Sequence, residues 1–286
     1  MTPDLRAAVA LAVGQPVGEA REIAGGDINR AFRVRLESGA EVFVKHRHDA
    51  GPGMYADEAH GLEWLAASRA LRVPAVVAVR DVEPRLLVLE WIQPGAPSST
   101  HDEDLGRGLA QLHRAGAPSF GLDRNNMIAT LPQSNTPTTT WPEFWTTRRL
   151  EPLMRHALDA GLLPHDTLPR WERMFDRMPD LCGPPEPPAR LHGDLWGGNA
   201  IVDAAGSPVL IDPAVYGGHR EVDLAMMRLF GGFSERVFAA YEEFSPLADG
   251  HRDRVSLFQL CPLLVHLILF GGGYRSAVER ALARYA

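Results

Sequence analysis

The hydrophobic pattern changes its period once along this chain, and that change points to an α+β class. Before residue 93 the apolar residues mostly alternate. In AFRVRLE (31–37), Phe32, Val34 and Leu36 share one face, Ser38-Gly39 turns the chain, and EVFVK (41–45) returns. Two alternating runs around a glycine turn predict an antiparallel hairpin. PAVVAV (74–79) and RLLVLEWI (85–92) predict two more strands, joined at Glu83-Pro84. Between them, Ala59, Leu62, Leu65 and Ala66 share the face of a helix near 56–69. QPGAPSST (93–100) is a natural boundary or hinge. Beyond it the apolar spacing is helical over 102–114, 141–161, 167–178, 222–230, 234–244, 253–270 and 274–285. The expected organisation is a small antiparallel-sheet lobe with one helix (1–92) and a larger, mainly helical lobe (93–286). The very N-terminus, MTPDLRAAVALAVGQPVGE, reads as an amphipathic helix rather than a signal peptide.

Composition narrows the function classes. The 286 residues are 45% hydrophobic and 23% charged, near ordinary globular usage and unlike a disordered or membrane chain. A net charge of −7 argues against a general nucleic-acid binder, whose footprint is basic. The most apolar run, CPLLVHLILF (261–270), is far shorter than the ~20 residues of a membrane span, so a buried core helix is expected. Cys182 and Cys261 follow no metal spacing and read as reduced thiols of a cytoplasmic protein. His101, His113, His156, His165 and His266 are scattered and read as surface or core histidines.

Chemistry concentrates in HGDLWGGN (192–199) and in the Asp212 that ends VLID. Phosphoryl transfer from Mg-ATP needs a carboxylate near the attacking hydroxyl and an Asn and an Asp on magnesium. Asp194 and Asn199 stand at the Asp-to-Asn spacing of the protein-kinase catalytic loop, with a glycine in place of the arginine after the histidine. Asn199 and Asp212 supply the hard oxygens that magnesium prefers. A kinase also needs a strand lysine for the ATP phosphates and a helix glutamate to hold it. Lys45 ends VFVK, and Glu58 follows on the next helix. GGDIN (25–29), with Gly25, Gly26 and Asp27, sits where a loop would cover phosphates. Singly, each has a plainer reading: a polar turn, a solvated lysine, a helix-dipole carboxylate, a glycine turn. Their order and spacing together favour a kinase. A Rossmann dehydrogenase fails, since no G-x-G-x-x-G opens a helix after a strand.

The chain resembles the fructosamine kinase (ketosamine-3-kinase) family, related to aminoglycoside phosphotransferases and more distantly to protein kinases. The matching stretches are GGDIN (25–29), VFVK (42–45), FGLDRNNMIATLPQSN (120–135), WPEFWTTRRL (141–150), HGDLWGGN (192–199), LIDPAVYGGHREVDLAM (210–226) and FGGF (230–233). The resemblance implies a bilobal protein-kinase-like fold, ATP and Mg2+, and phosphorylation of a sugar 3-hydroxyl on a ketosamine, small or protein-bound, in deglycation or metabolite repair. It implies Asp194 as the catalytic carboxylate, Asn199 and Asp212 on magnesium, and Lys45 on the ATP phosphates, paired with Glu58. The backbone around Glu90, Trp91 and Ile92 would meet adenine. Asp223 and His192 would support the catalytic loop, and Trp196 would stack on the sugar or simply pack. No nucleic-acid or membrane partner is expected, and the protein is expected as a monomer or weak dimer. Another small-molecule kinase, for an aminoglycoside, choline or a sugar, is the alternative, and a nucleotide-binding pseudokinase a weaker one. Some family members carry a redox-active cysteine in the phosphate loop, where this chain reads GGDIN. Dithiothreitol is therefore expected to leave activity unchanged, and strong activation in an assay with and without it would contradict this.

Overall fold

The computed structural model describes residues 1–23 and 30–286 and divides into two compact units, Met1–His101 with Asn199–Pro213, and Asp102–Gly198 with Ala214–Ala286. In the first unit, β1 (Val17–Ile23), β2 (Arg30–Leu36), β3 (Glu41–His46), β4 (Val76–Arg80) and β5 (Leu86–Glu90) form an antiparallel sheet in the order β1-β2-β3-β5-β4. Two helices pack on it rather than one. Helix α1 (Pro3–Val13) starts at Thr2, whose hydroxyl accepts from Leu5 N–H. Its Leu5 and Val9 meet Phe32, Val34, Leu36, Val42, Val44, Leu86 and Val88. Helix α2 (Met54–Ala66) brings Tyr55, Ala59 and Leu62 against Leu87 and Leu89. Successive strand residues point to opposite faces, so β5 is buried on both sides. The same alternation decides where Lys45 goes. Val42 and Val44 turn toward α1, and Lys45, opposite Leu87 in the register, turns toward α2.

The expected boundary at residue 93 lies too early, and the first unit also takes residues from far along the chain. Ala200–Val202 and Pro208–Leu210 pair as a hairpin. Leu210 N–H donates to Arg72 O at 2.9 Å, Gly95 N–H to Val202 O at 3.1 Å and Ser98 N–H to Gly206 O at 3.1 Å. Arg72 adds an ion pair to Asp203 at 2.5 Å. These bonds hold the segment after residue 93 and the 199–213 hairpin in one body.

The second unit carries α3 (His101–Arg114), α4 (Trp141–Phe144), α5 (Glu151–Asp159), α6 (Leu168–Asp176), α7 (Met178–Leu181), α8 (Glu221–Phe230), α9 (Glu235–Phe244), α10 (His251–Phe270) and α11 (Arg275–Leu282). A π-helical turn, Trp145–Leu150, joins α4 to α5 and keeps Trp145, Arg149 and Leu150 buried. Helix α10 is 20 residues long, about twice the apolar run marked in the sequence, and by length and composition it could cross a membrane. In this unit its Leu257, Phe258, Leu260, Leu264 and Leu267 pack into the core with Trp141, Trp145 and Trp171. Cys182 and Cys261 are buried free thiols, pushed up by burial to about 12 and about 11. Neither is a ready nucleophile at neutral pH.

Candidate active site

In the first unit, Lys45 is the centre of a buried charge cluster. Its Nζ donates to Glu58 Oε1 at 2.7 Å and to Asp212 Oδ1 at 2.5 Å. Burial would depress the ammonium, but the two carboxylates outweigh it and hold Lys45 above its ordinary value. Burial pushes the Glu58 carboxyl up, against the pull of Lys45. Glu58 is placed by the helical spacing that also turns Tyr55 and Leu62 inward. Asp212 has a left-handed backbone, φ +54°, and its side chain stays half-open to solvent. Just past the hairpin ladder, Ile211 N–H donates to Asn199 O at 3.0 Å, so Asn199 and Asp212 occupy neighbouring ends of the same two strands.

In the second unit, the His192-Gly193-Asp194 turn hangs from Asp223. This carboxylate is fully buried in the first turn of α8. Its Oδ2 accepts from His192 N–H at 2.8 Å and its Oδ1 from Gly193 N–H at 2.9 Å. His113 Nε2 lies 3.2 Å from Oδ2, and His113 Nδ1 lies 2.8 Å from the Tyr241 hydroxyl. Burial raises the Asp223 carboxyl; the His113 hydrogen bond, the charges of His113 and His192, and the Gly193 N–H outweigh it and hold it below its ordinary value. The turn is closed by Asp194 N–H to His192 Nδ1 at 3.2 Å and Ala214 N–H to His192 O at 2.9 Å. Gly193 has φ +83°, and a Cβ there would lie 2.1 Å from Ala214 O. That contact explains why glycine stands where the protein-kinase loop has arginine.

Asp194 lines a small concavity within this unit. Gln133, Trp145, Tyr216, Met226 and His266 contribute to its wall, and among the described residues no lysine or arginine lines it. Its lining mixes apolar side chains with a few polar groups, as the walls of small-molecule sites do. Behind it lies a chain of amides. Arg149 donates to Asn135 Oδ1 at 2.6 Å, Asn135 Nδ2 to Asn126 Oδ1 at 2.8 Å, and Gln133 Nε2 to Asn126 Oδ1 at 3.0 Å.

The candidate residues therefore fall into two groups. Lys45, Glu58, Asn199 and Asp212 come together in the first unit, and His192, Asp194 and Asp223 in the second. Gly25, Gly26 and Asp27 lie outside the described residues. Glu90 differs from expectation. Its N–H is taken by Ala75 O at 2.8 Å and its carboxylate by Arg72 at 2.6 Å, leaving the main chain of Trp91 and Ile92, past the end of β5, as the less committed stretch. Trp196 is 43% exposed, packs over the bare Gly198 backbone and is not part of the pocket wall. His113 and Tyr241 escaped the sequence argument, because only tertiary contact brings them to Asp223. His266, expected to be an ordinary histidine, lines the pocket.

A family model described as "Fructosamine kinase" matches residues 1–286. A solved Thermobifida fusca fructosamine-3-kinase candidate is 41% identical, with a TM-score of 0.91, and the match covers 100% of this chain and 99% of that one. The Enterococcus faecium protein named "Probable ketoamine kinase" is 36% identical over 94% of this chain and 95% of its own length. The chloroplastic protein-ribulosamine 3-kinase of Arabidopsis thaliana is 34% identical over 92% of this chain and 81% of its own length. Solved antibiotic phosphotransferases and a choline kinase, 13–18% identical, share the fold alone at TM-scores of 0.57–0.65.

Proposed function

The chain belongs to the fructosamine kinase family, whose members are ATP-dependent phosphotransferases with a protein-kinase-like fold, and from that premise we propose that it moves the γ-phosphoryl of ATP onto the 3-hydroxyl of a ketosamine of fructosamine or ribulosamine type. The observation that carries this is Asp194: an acid in a turn fixed by Asp223, facing a pocket that, among the described residues, no lysine or arginine lines. A fixed carboxylate orients a sugar hydroxyl and takes its proton as the oxygen attacks phosphorus. A wall without lysine or arginine among the described residues suits a neutral sugar joined to an ammonium and disfavours an anionic acceptor.

The ATP side is assigned to the first unit, the acceptor side to the second. Lys45, held by Glu58, contacts the phosphates, and Gly25, Gly26 and Asp27 are the phosphate-loop residues proposed from sequence. The Trp91–Ile92 main chain, with Glu90 bracing it through Arg72, meets adenine. Asn199 and Asp212 pair an amide oxygen with a half-open carboxylate on adjoining strand ends, and this donor set fits Mg2+. When bound, the ion would supply neutralisation of phosphate charge. His192 and Asp223 position the catalytic turn, and Trp196 offers an exposed indole for the sugar ring. The product is a sugar phosphate still joined to its amine, the step expected of deglycation or metabolite repair. The setting is the cytoplasm, as a monomer or weak dimer, with no nucleic-acid or membrane partner.

The test is ADP formation with Mg-ATP and fructosamine, ribulosamine or erythrulosamine acceptors, beside choline and an aminoglycoside. Turnover with at least one ketosamine and a phosphate located on its O3 is expected. No ADP with any ketosamine would sink the assignment.

A further inference from the structure

We propose that Gln133 is a specificity-determining acceptor, whose Oε1 takes a hydrogen bond from a hydroxyl of the sugar substrate beside the one that is phosphorylated. The inference rests on the proposed sugar-kinase activity for its choice of substrate.

The argument begins at Arg149. An amide side chain presents an oxygen at one end and an NH2 at the other, and its orientation follows from its neighbours. A guanidinium only donates. Arg149 is 1% exposed, with its charge over the Tyr216 ring at 4.0 Å and the Phe144 ring at 4.6 Å, and it donates to Asn135 Oδ1 at 2.6 Å. Asn135 must therefore turn its NH2 the other way, where it donates to Arg124 O at 3.1 Å and Asn126 Oδ1 at 2.8 Å. Asn126 then has its oxygen fixed as an acceptor and its Nδ2 on Val215 O at 2.9 Å. That oxygen also receives Gln133 Nε2 at 3.0 Å, and the same Nε2 reaches Ala214 O at 3.4 Å. Both Gln133 amide hydrogens are thereby committed. The Oε1 is the polar atom left over, on a residue that is 6% exposed and lines the pocket beside Asp194.

The polarity of a buried cation is thus passed through three amides to one oxygen. A flipped Gln133 would set its oxygen against Asn126 Oδ1 and Ala214 O, so the pocket presents a fixed acceptor rather than an adaptable amide. A substrate hydroxyl there is matched; a substrate without it leaves the oxygen desolvated and unpaired. Gln133 touches substrate in this scheme, and Arg149, Asn135 and Asn126 act through it.

The experiment is a substrate–variant cycle with Gln133→Met and a set of monodeoxy ketosamines. With the full substrate, kcat/KM should fall about tenfold, the worth of one neutral hydrogen bond near 1.4 kcal/mol. One monodeoxy analogue should show a similar penalty with the parent enzyme and none with Gln133→Met. A loss of packing alone would lower all substrates equally and leave every deoxy penalty in place, and that result would overturn the proposal. If Gln133→Met unfolds, Gln133→Asn, which withdraws the oxygen by one methylene, is read in the same cycle with the same outcomes. If the parent turns over no ketosamine, the proposed function fails separately. The cycle is then run with monodeoxy forms of the sugar acceptor that it does phosphorylate.

Discussion

Asp194→Asn is expected to lower kcat by about 10²–10⁴-fold while the affinity for ATP stays nearly unchanged, because the substitution removes the proton acceptor and keeps the side chain's size and shape. The exchange is nearly isosteric. The main-chain bonds of the turn, from Asp223 to His192 and Gly193 and from His192 Nδ1 to Asp194 N–H, use no Asp194 side-chain atom. Thermal unfolding should therefore move little, and nucleotide titration should report a Kd near that of the parent. Single-turnover rates read the chemical step directly. A variant that phosphorylates acceptor at a comparable rate would remove Asp194 from the role of base.

Asp223→Asn should behave in the opposite way. The carboxylate is fully buried and accepts at both oxygens. An amide in its place turns an NH2 toward one of two backbone N–H groups and leaves His113 without its anion. Leaving buried hydrogen-bond donors without their acceptor costs about 1–3 kcal/mol. The expected result is a loss of that order in denaturant unfolding at pH 7, together with a fall in kcat as the Asp194 turn loosens. A variant as stable as the parent would refute the bracing role. The acid limb gives a second check. A carboxyl depressed in the folded state stabilises fully above its unfolded pKa, about 3.9, and loses that contribution as pH falls through the lower folded value. The parent should therefore lose this contribution below about pH 4, and Asp223→Asn should lack that part of the curve.

How much of this was legible from residues alone depended on the length of each signal. The alternation of Phe32, Val34 and Leu36 became β2 as expected, and the same alternation sends Lys45 to the face where Glu58 waits. Strand β1 was missed because VGEAREI has little apolar alternation to read. The pairs Asn126–Ile128 with Leu131–Gln133 and Ala189–Leu191 with Tyr216–Gly218 are three residues long, too short for any period to show. The lobe boundary was misplaced because the Pro/Gly run marks where helix and strand fail; it does not mark which bonds the run makes. His113 and Tyr241 stand 110 and 18 residues from Asp223, and neither lies in a motif. The amide chain behind Gln133 lay in a stretch picked out only by family resemblance. Its chemistry depends on the buried Arg149 that orients it, which sequence spacing does not reveal.

The hairpin at residues 199–213 carries one more consequence, for synthesis. Leu210 is hydrogen-bonded to Arg72, Asp203 is ion-paired to it, and Val209 and Leu210 are fully buried. A nascent chain of 101 residues holds all five strands of the sheet but lacks this piece. The first unit is complete only when residue 213 of 286 has left the ribosome, after most of the second unit's early helices. Chains otherwise tend to fold their N-terminal domain first during translation. Here the N-terminal unit must wait, with Arg72, Gly95 and Ser98 lacking their late partners. A gene truncated after the first unit's strands would yield an incomplete body rather than a free-standing nucleotide-binding domain.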